Sequence, residues 1–149
     1  MRKIMKSAIA LFLIVLGAVA STSLHACGCV KSSIEEKFQQ ASTVFVGHII
    51  LAKEVTDDPQ AQKFPSSRYI EATYLIKEVF KGQPKNTGVV TDGVYVGGSC
   101  SVGMLPGVDY IIYLYKTNNV SICNGTQFYN STRDKELIEK LRVLRETTK

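Results

Sequence analysis

The chain changes its apolar periodicity several times, and each change predicts an element. An apolar run from Ala8 to Ala20, with Gly17 as its one glycine, follows Arg2, Lys3 and Lys6. Beyond it, Ile34, Phe38 and Ala41 fall on one helical face, with Ser32 or Ser33 placed to cap the helix and Glu35 and Glu36 in its first turn. Val44 to Ala52 (VFVGHIILA) is apolar on both faces and predicts a buried strand, with Gly47 at a bend or bulge. Residues 53–67 predict a polar loop, because Asp57, Asp58, Pro59 and Pro65 are turn-forming residues. From Arg68 to Phe80 the period is two, with Ile70, Ala72, Tyr74 and Ile76 on the core side. A third strand is expected over Thr87 to Val96, followed by a Gly97-Gly98 hinge. A fourth follows over Asp109 to Tyr115, and an Asn118-Asn119 hairpin turn then leads to a short strand ending at Cys123. The last element is a helix from about Thr132 to Thr147, capped by Ser131 or Thr132, with Leu137, Ile138, Leu141 and Leu144 as its apolar stripe. No internal repeat or low-complexity segment interrupts this order. Five strands with flanking helices predict a mainly β, OB-like closed or nearly closed barrel, with a β-sandwich as the alternative.

The opening run matches a secretory signal: a positive start, an apolar core of 13 residues and a more polar stretch from Ser21 to Ala26. A bilayer needs about 20 apolar residues, so no transmembrane segment is expected. Cleavage after Ala26 would leave residues 27–149 as one domain, exported to an extracellular or periplasmic space. Two other outcomes change its start. Ala18-Val19-Ala20 offers a second cleavage site, and Leu24-His25-Ala26-Cys27 is similar to a lipobox, which would give a lipid-anchored envelope protein. The whole chain carries a net charge of +5, and removal of the three signal cations leaves +2, a weak attraction for nucleic acid or anionic lipid.

All four cysteines, Cys27, Cys29, Cys100 and Cys123, follow the signal. An even count in an exported domain predicts two disulfides. A Cys27–Cys29 ring is strained, so Cys27 and Cys29 should each reach Cys100 or Cys123, and the spacing leaves the pairing open. Bridges over such loops are worth roughly 4 to 5 kcal/mol each on chain entropy. A four-thiolate zinc site is the competing use, but no Cys-x-x-Cys spacing supports it.

Enzyme chemistry has little to work with. His48 is the one histidine after the signal and lies in an apolar strand, where a sheet-face role is expected. No His-Glu-x-x-His, phosphate loop or dinucleotide glycine pattern is present, so neither an enzyme nor a resident cofactor is expected. The seven tyrosines fit strand preference better than a stacking surface for single-stranded nucleic acid. Asn119, Asn124 and Asn130 begin N-x-Ser/Thr patterns, which are glycosylation acceptors in a eukaryote and polar turns in a bacterium.

The sequence HACGCV, then IEEKFQQASTVFVG, EVFKG, GGSC and a final cysteine at 123, resembles the N-terminal netrin-type domain of the tissue inhibitors of metalloproteinases and similar bacterial single-domain proteins. The resemblance spans Cys27 to about Leu144. It implies an OB-fold with Cys27–Cys100 and Cys29–Cys123 disulfides. It further implies a secreted inhibitor, expected as a monomer, whose partner is a zinc metalloprotease. In that family the α-amine and carbonyl oxygen of the first cysteine, here Cys27, chelate the protease's catalytic zinc. Such a zinc keeps one position open for water, which a five-membered chelate displaces, and an amine of pKa near 8 gives up its proton readily. The implied contact ridge comprises Cys27, Gly28, Cys29 and Val30 with Gly98, Ser99, Cys100 and Ser101. The four cysteines leave out the family's third cysteine pair, and no counterpart of its C-terminal domain is expected. Gly28 stands where the animal inhibitors insert a side chain into the specificity pocket, which forfeits roughly 1.5 to 3 kcal/mol of burial. The alternative use of such a domain is an exported netrin-like binding or envelope module.

Overall fold

The computed structural model describes residues 27–56, 68–93 and 100–148. The signal segment 1–26, most of the expected loop, the third strand beyond Gly93 and the Gly97-Gly98 hinge lie outside the described residues.

The elements in order are helix α1 (Ile34–Gln40), strands β1 (Thr43–Thr56), β2 (Arg68–Lys81), β3 (Thr87–Gly93), β4 (Asp109–Leu114) and β5 (Asn119–Val120), a 3-10 turn (Ile122–Asn124), β6 (Gln127–Phe128), and helix α2 (Lys135–Thr147). All six strands form one sheet in the order β5-β3-β2-β1-β4-β6, so the sandwich alternative does not hold among the described residues. The sheet curls, because β5 and β4 touch although three strands separate them in that order. The result is a mainly β, barrel-like architecture with two helices.

Curling gives the sheet two apolar faces. One cluster joins Phe45, Ile49, Tyr74, Val90, Met104, Tyr110, Ile112 and Val120, drawn from five strands and the segment before β4. The other places Val44, Val46, Phe80, Ile111 and Tyr113 under Phe38 of α1 and Ile138 and Leu141 of α2. Strand β4 and the first half of β1, through Val44, Phe45, Val46 and Ile49, therefore bury both faces. Ile50 and Leu51, which continue the β1 run, are exposed and correct the expectation of a strand buried to Ala52. Gly47 sits where the β1–β2 register shifts, Lys77 being the extra residue, and a Cβ there would lie 3.0 Å from the Phe45 ring and 3.1 Å from Ile112.

The boundaries differ from the sequence expectation in four places. Residues 53–56 continue β1 instead of starting a loop, because cross-strand ion pairs Lys53–Glu71 and Glu54–Arg68 suit an exposed ribbon. Asn118-Asn119 does not turn a hairpin: β5 leaves β4 and pairs in parallel with β3. A sixth strand of two residues, β6, pairs with β4. Helix α2 begins at Lys135 because the Asn130 side chain accepts the Thr132 and Arg133 N–H groups at 3.0 Å, turning residues 131–134 before the helix starts.

Both helices are pinned to the sheet by specific contacts. Ser33 and Glu36 form a reciprocal capping box at the start of α1, and the Lys81 ammonium donates to the Phe38 and Gln39 carbonyls at its end. Arg142 of α2 grips Glu78 of β2 through two hydrogen bonds of 2.9 and 2.8 Å. Those bonds hold the Glu78 carboxyl below its usual range against the opposing effect of burial. Leu141 is fully buried, so Leu141→Ala should cost about 2–5 kcal/mol in denaturant unfolding. A loss under about 0.5 kcal/mol would mean that the stripe carries no docking energy.

Candidate functional site

The four cysteines converge at one end of the sheet. Cys27 is joined to Cys100 and Cys29 to Cys123, with Cα separations of 5.5 and 5.0 Å. All four sulfurs lie within 4.8 Å of one another. Residues 27–33 have no regular structure, so these bridges place them.

The receiving side is held by backbone and polar side chains. The Cys100 carbonyl accepts hydrogen bonds from the Ser121 hydroxyl and the Ile122 N–H, both at 3.0 Å. Ser121 also caps the 3-10 turn carrying Cys123, accepting its N–H at 3.1 Å. Asn124 completes that cap through its Oδ1, and the Asn119 side chain meets Thr91. With Asn130, the three N-x-Ser/Thr asparagines thus all serve local turns or strand pairing.

Past Cys100, the chain is wrapped around Asp92 of β3. This carboxylate is 1% exposed and accepts four hydrogen bonds, from the Ser101 hydroxyl (3.1 Å) and the N–H groups of Val102 (3.0 Å), Gly103 (2.8 Å) and Met104 (3.2 Å). Tyr110 adds a second clamp: its hydroxyl donates to the Gly103 carbonyl at 2.9 Å and accepts from the Leu105 N–H at 3.1 Å. Burial raises the Tyr110 pKa, so the phenol keeps the proton it donates. Asp92 and Tyr110 thereby fix the segment holding Cys100 and Ser101. The sequence reading missed both, since Asp92 looks like an ordinary strand-end acid and its partners lie 9 to 12 positions downstream.

Of the expected ridge, Cys27, Gly28, Cys29, Val30, Cys100 and Ser101 are described, and the bridges bring the two segments together; Gly98 and Ser99 lie outside the described residues. The ridge projects into solvent. Val30 is 86% exposed, and a Cβ built on Gly28 meets nothing within 4 Å. A cleft of about 630 Å³ runs beside it, lined by Gly28, Val30, Gln40, Tyr115, Asn119 and Cys123 among others. Chemically, the ridge offers main-chain nitrogen and oxygen atoms on a rigid, exposed edge.

His48 belongs to a different cluster. Its Nδ1 lies 2.6 Å from one Asp109 oxygen, and the Lys77 ammonium lies 2.6 Å from the other. Burial pushes the Asp109 carboxyl up, but the hydrogen bonds from Lys77 and His48 outweigh it and hold the group below its ordinary value. His48 is thus a hydrogen-bond partner of Asp109, joining β1 to β4 on a partly exposed sheet face. Among the described residues, no helix is long and apolar enough to cross a membrane.

No family model matches the chain, and none of the curated proteins compared with it shows significant sequence similarity.

Proposed function

We propose that this chain is an exported inhibitor of zinc metalloproteases that chelates the target's catalytic zinc through the α-amine and carbonyl oxygen of Cys27. One observation carries the reading: Cys27 to Val30 is an exposed edge held by two disulfides, one from its first and one from its third residue. A chelating group on such an edge loses little conformational entropy on binding. Cleavage after Ala26 frees the required amine, and Cys100 and Ser101 extend the contact surface beside it. The strand order β5-β3-β2-β1-β4, antiparallel except at β3–β5, supports an OB-like barrel with β6 added at one edge. The open space at Gly28 suits a target with a shallow or already filled specificity pocket.

The test is an inhibition assay against a panel of zinc proteases, using exported protein whose N-terminus is verified by sequencing and intact mass. A form extended by one alanine before Cys27 should lose inhibition entirely and melt at nearly the same temperature. The extension turns the amine into an amide, which has no lone pair to give zinc, and it adds to a segment of irregular backbone that belongs to neither apolar cluster. Equal inhibition by both forms would rule out chelation. Absence of inhibition from either form across the panel would favour the netrin-like binding or envelope module.

A further inference from the structure

We propose that, when its disulfides are reduced, the chain binds one zinc-class divalent cation through the four thiolates of Cys27, Cys29, Cys100 and Cys123. This site is the protein's own and is separate from the zinc of any protease target. It does not rest on the inhibitory reading, which concerns the oxidised form.

Four sulfurs about 2.3 Å from a tetrahedral zinc stand about 3.8 Å from one another. Across the two bridges, Cys27 Sγ lies 3.7 Å from Cys29 Sγ and 3.6 Å from Cys123 Sγ, and no pair exceeds 4.8 Å. The sulfurs therefore already occupy a cluster of coordination size. The two S–S bonds are much shorter than that spacing, and reduction opens them. Two of the ligands can move to suit the metal, because Cys27 and Cys29 lie in the irregular segment 27–33. The other two stand on a firm base, Cys100 through its carbonyl bonds to Ser121 and Ile122 and Cys123 on the capped 3-10 turn. Cys29 is exposed, which leaves a path for the ion. Thiolate is the donor that soft and borderline cations prefer, so zinc, cobalt and cadmium fit and calcium and magnesium do not.

The chemistry balances in two stages. A dithiol reductant gives two electrons and two protons to each bridge and itself closes to a disulfide, so two equivalents yield four protein thiols. One divalent cation then displaces four protons to form four metal–sulfur bonds. Two equivalents of a small-molecule disulfide, each taking two electrons by exchange and leaving as two thiols, re-form the two bridges and expel the ion. The cysteine cluster thus has two exclusive uses, a covalent clamp in an oxidising compartment and a metal site in a reducing one.

Cobalt(II) titrated into the exported chain under anaerobic conditions is the test. A water-soluble phosphine serves as the reductant, since its oxide carries no thiol to compete for the metal; each bridge consumes one phosphine and one water, the oxygen going to phosphorus and the hydrogens to sulfur. Expected are thiolate-to-cobalt charge-transfer bands and intense tetrahedral visible bands that saturate at one cobalt per chain. Release of four protons and displacement by zinc should accompany them. Cys27→Ser/Cys100→Ser should weaken binding by more than about a thousandfold, since half the ligands are gone. The oxidised chain should give no such bands. If the reduced chain unfolds, far-ultraviolet circular dichroism should return with the same one-to-one stoichiometry. Absence of charge-transfer bands, an octahedral spectrum, a chain that stays unfolded at saturating cobalt, or equal binding by the serine variant would each overturn the proposal.

Discussion

Asp92→Ala should lower the unfolding free energy by about 3–5 kcal/mol, among the largest effects of any single substitution in this chain. The carboxylate is almost wholly buried and receives three backbone N–H groups and one hydroxyl. Alanine leaves those donors without acceptors, and each costs about 1–3 kcal/mol where water cannot replace the partner. Gly103 is exposed, so water recovers part of the loss and the total stays below the sum of four full penalties. Asp92→Asn should do nearly as much damage. Oδ2 alone accepts from Ser101, Gly103 and Met104, and whichever way the amide turns, its NH2 faces donors. Denaturant unfolding of the three forms measures this, and a loss below about 1 kcal/mol for alanine would show that the cradle is not an energetic anchor. Because the cradle holds Ser101 and the chain after Cys100, the same variants should also weaken any binding made by the ridge.

Removing either disulfide should cost about 3.5 kcal/mol, and removing both should cost about 8 kcal/mol. Taken alone, bridges of 73 and 94 residues would be worth nearly equal amounts, about 4.6 kcal/mol each by loop closure. They are not independent. With Cys27–Cys100 intact, the path from Cys29 to Cys123 runs back to Cys27, across the bridge and on through 100–123. The second bridge then closes a ring of only about 27 residues, worth about 3.5 kcal/mol. The same short ring applies when Cys29–Cys123 is the survivor, so Cys29→Ser/Cys123→Ser and Cys27→Ser/Cys100→Ser should lose equal stability. The quadruple serine variant should then sit near the unfolding threshold, because domains have only about 5–15 kcal/mol in total. Urea unfolding of the variants provides the comparison. A quadruple loss no larger than either single loss would contradict the closure account.

Much of the fold was legible because its signals are local. The stripe Leu137, Ile138, Leu141 and Leu144 marked α2, and the two-faced apolar run of β1 marked a strand that is buried on both sides up to Ile49, though not at Ile50 and Leu51. Of the two serines read as possible caps of α1, Ser33 takes the role, and its reciprocal bond with Glu36 came only with the folded chain. What escaped depends on partners far along the chain. Nothing near Asn119 signals that it will meet Thr91, so the expected hairpin gave way to a parallel pair with β3. Lys53 and Glu54 looked like loop residues until Glu71 and Arg68 stood across from them. Asp92 carries no mark of its role, since its ligands are main-chain groups that any sequence supplies. At the site, the cysteine count and export pattern announced disulfides. The supports under Cys100 and Cys123, from Ser121 and Asn124, came only with the folded chain.

The placement of the two bridges also decides what happens when the chain is cut. Both leave from its first three described residues and land on opposite sides of the 100–123 segment. A single peptide bond hydrolysed between 30 and 99 leaves two fragments joined by both bridges, and a cut between 101 and 122 leaves them joined by Cys29–Cys123. Among cuts after Cys27, only cleavage beyond Cys123 sets a piece free, and a cut between Cys123 and Lys135 releases the one carrying α2. For a chain proposed to meet a protease, a nick therefore does not discard the ligand. The severed ends stay tethered at high effective concentration, and the nicked molecule still moves and binds as one body until its sulfurs are reduced.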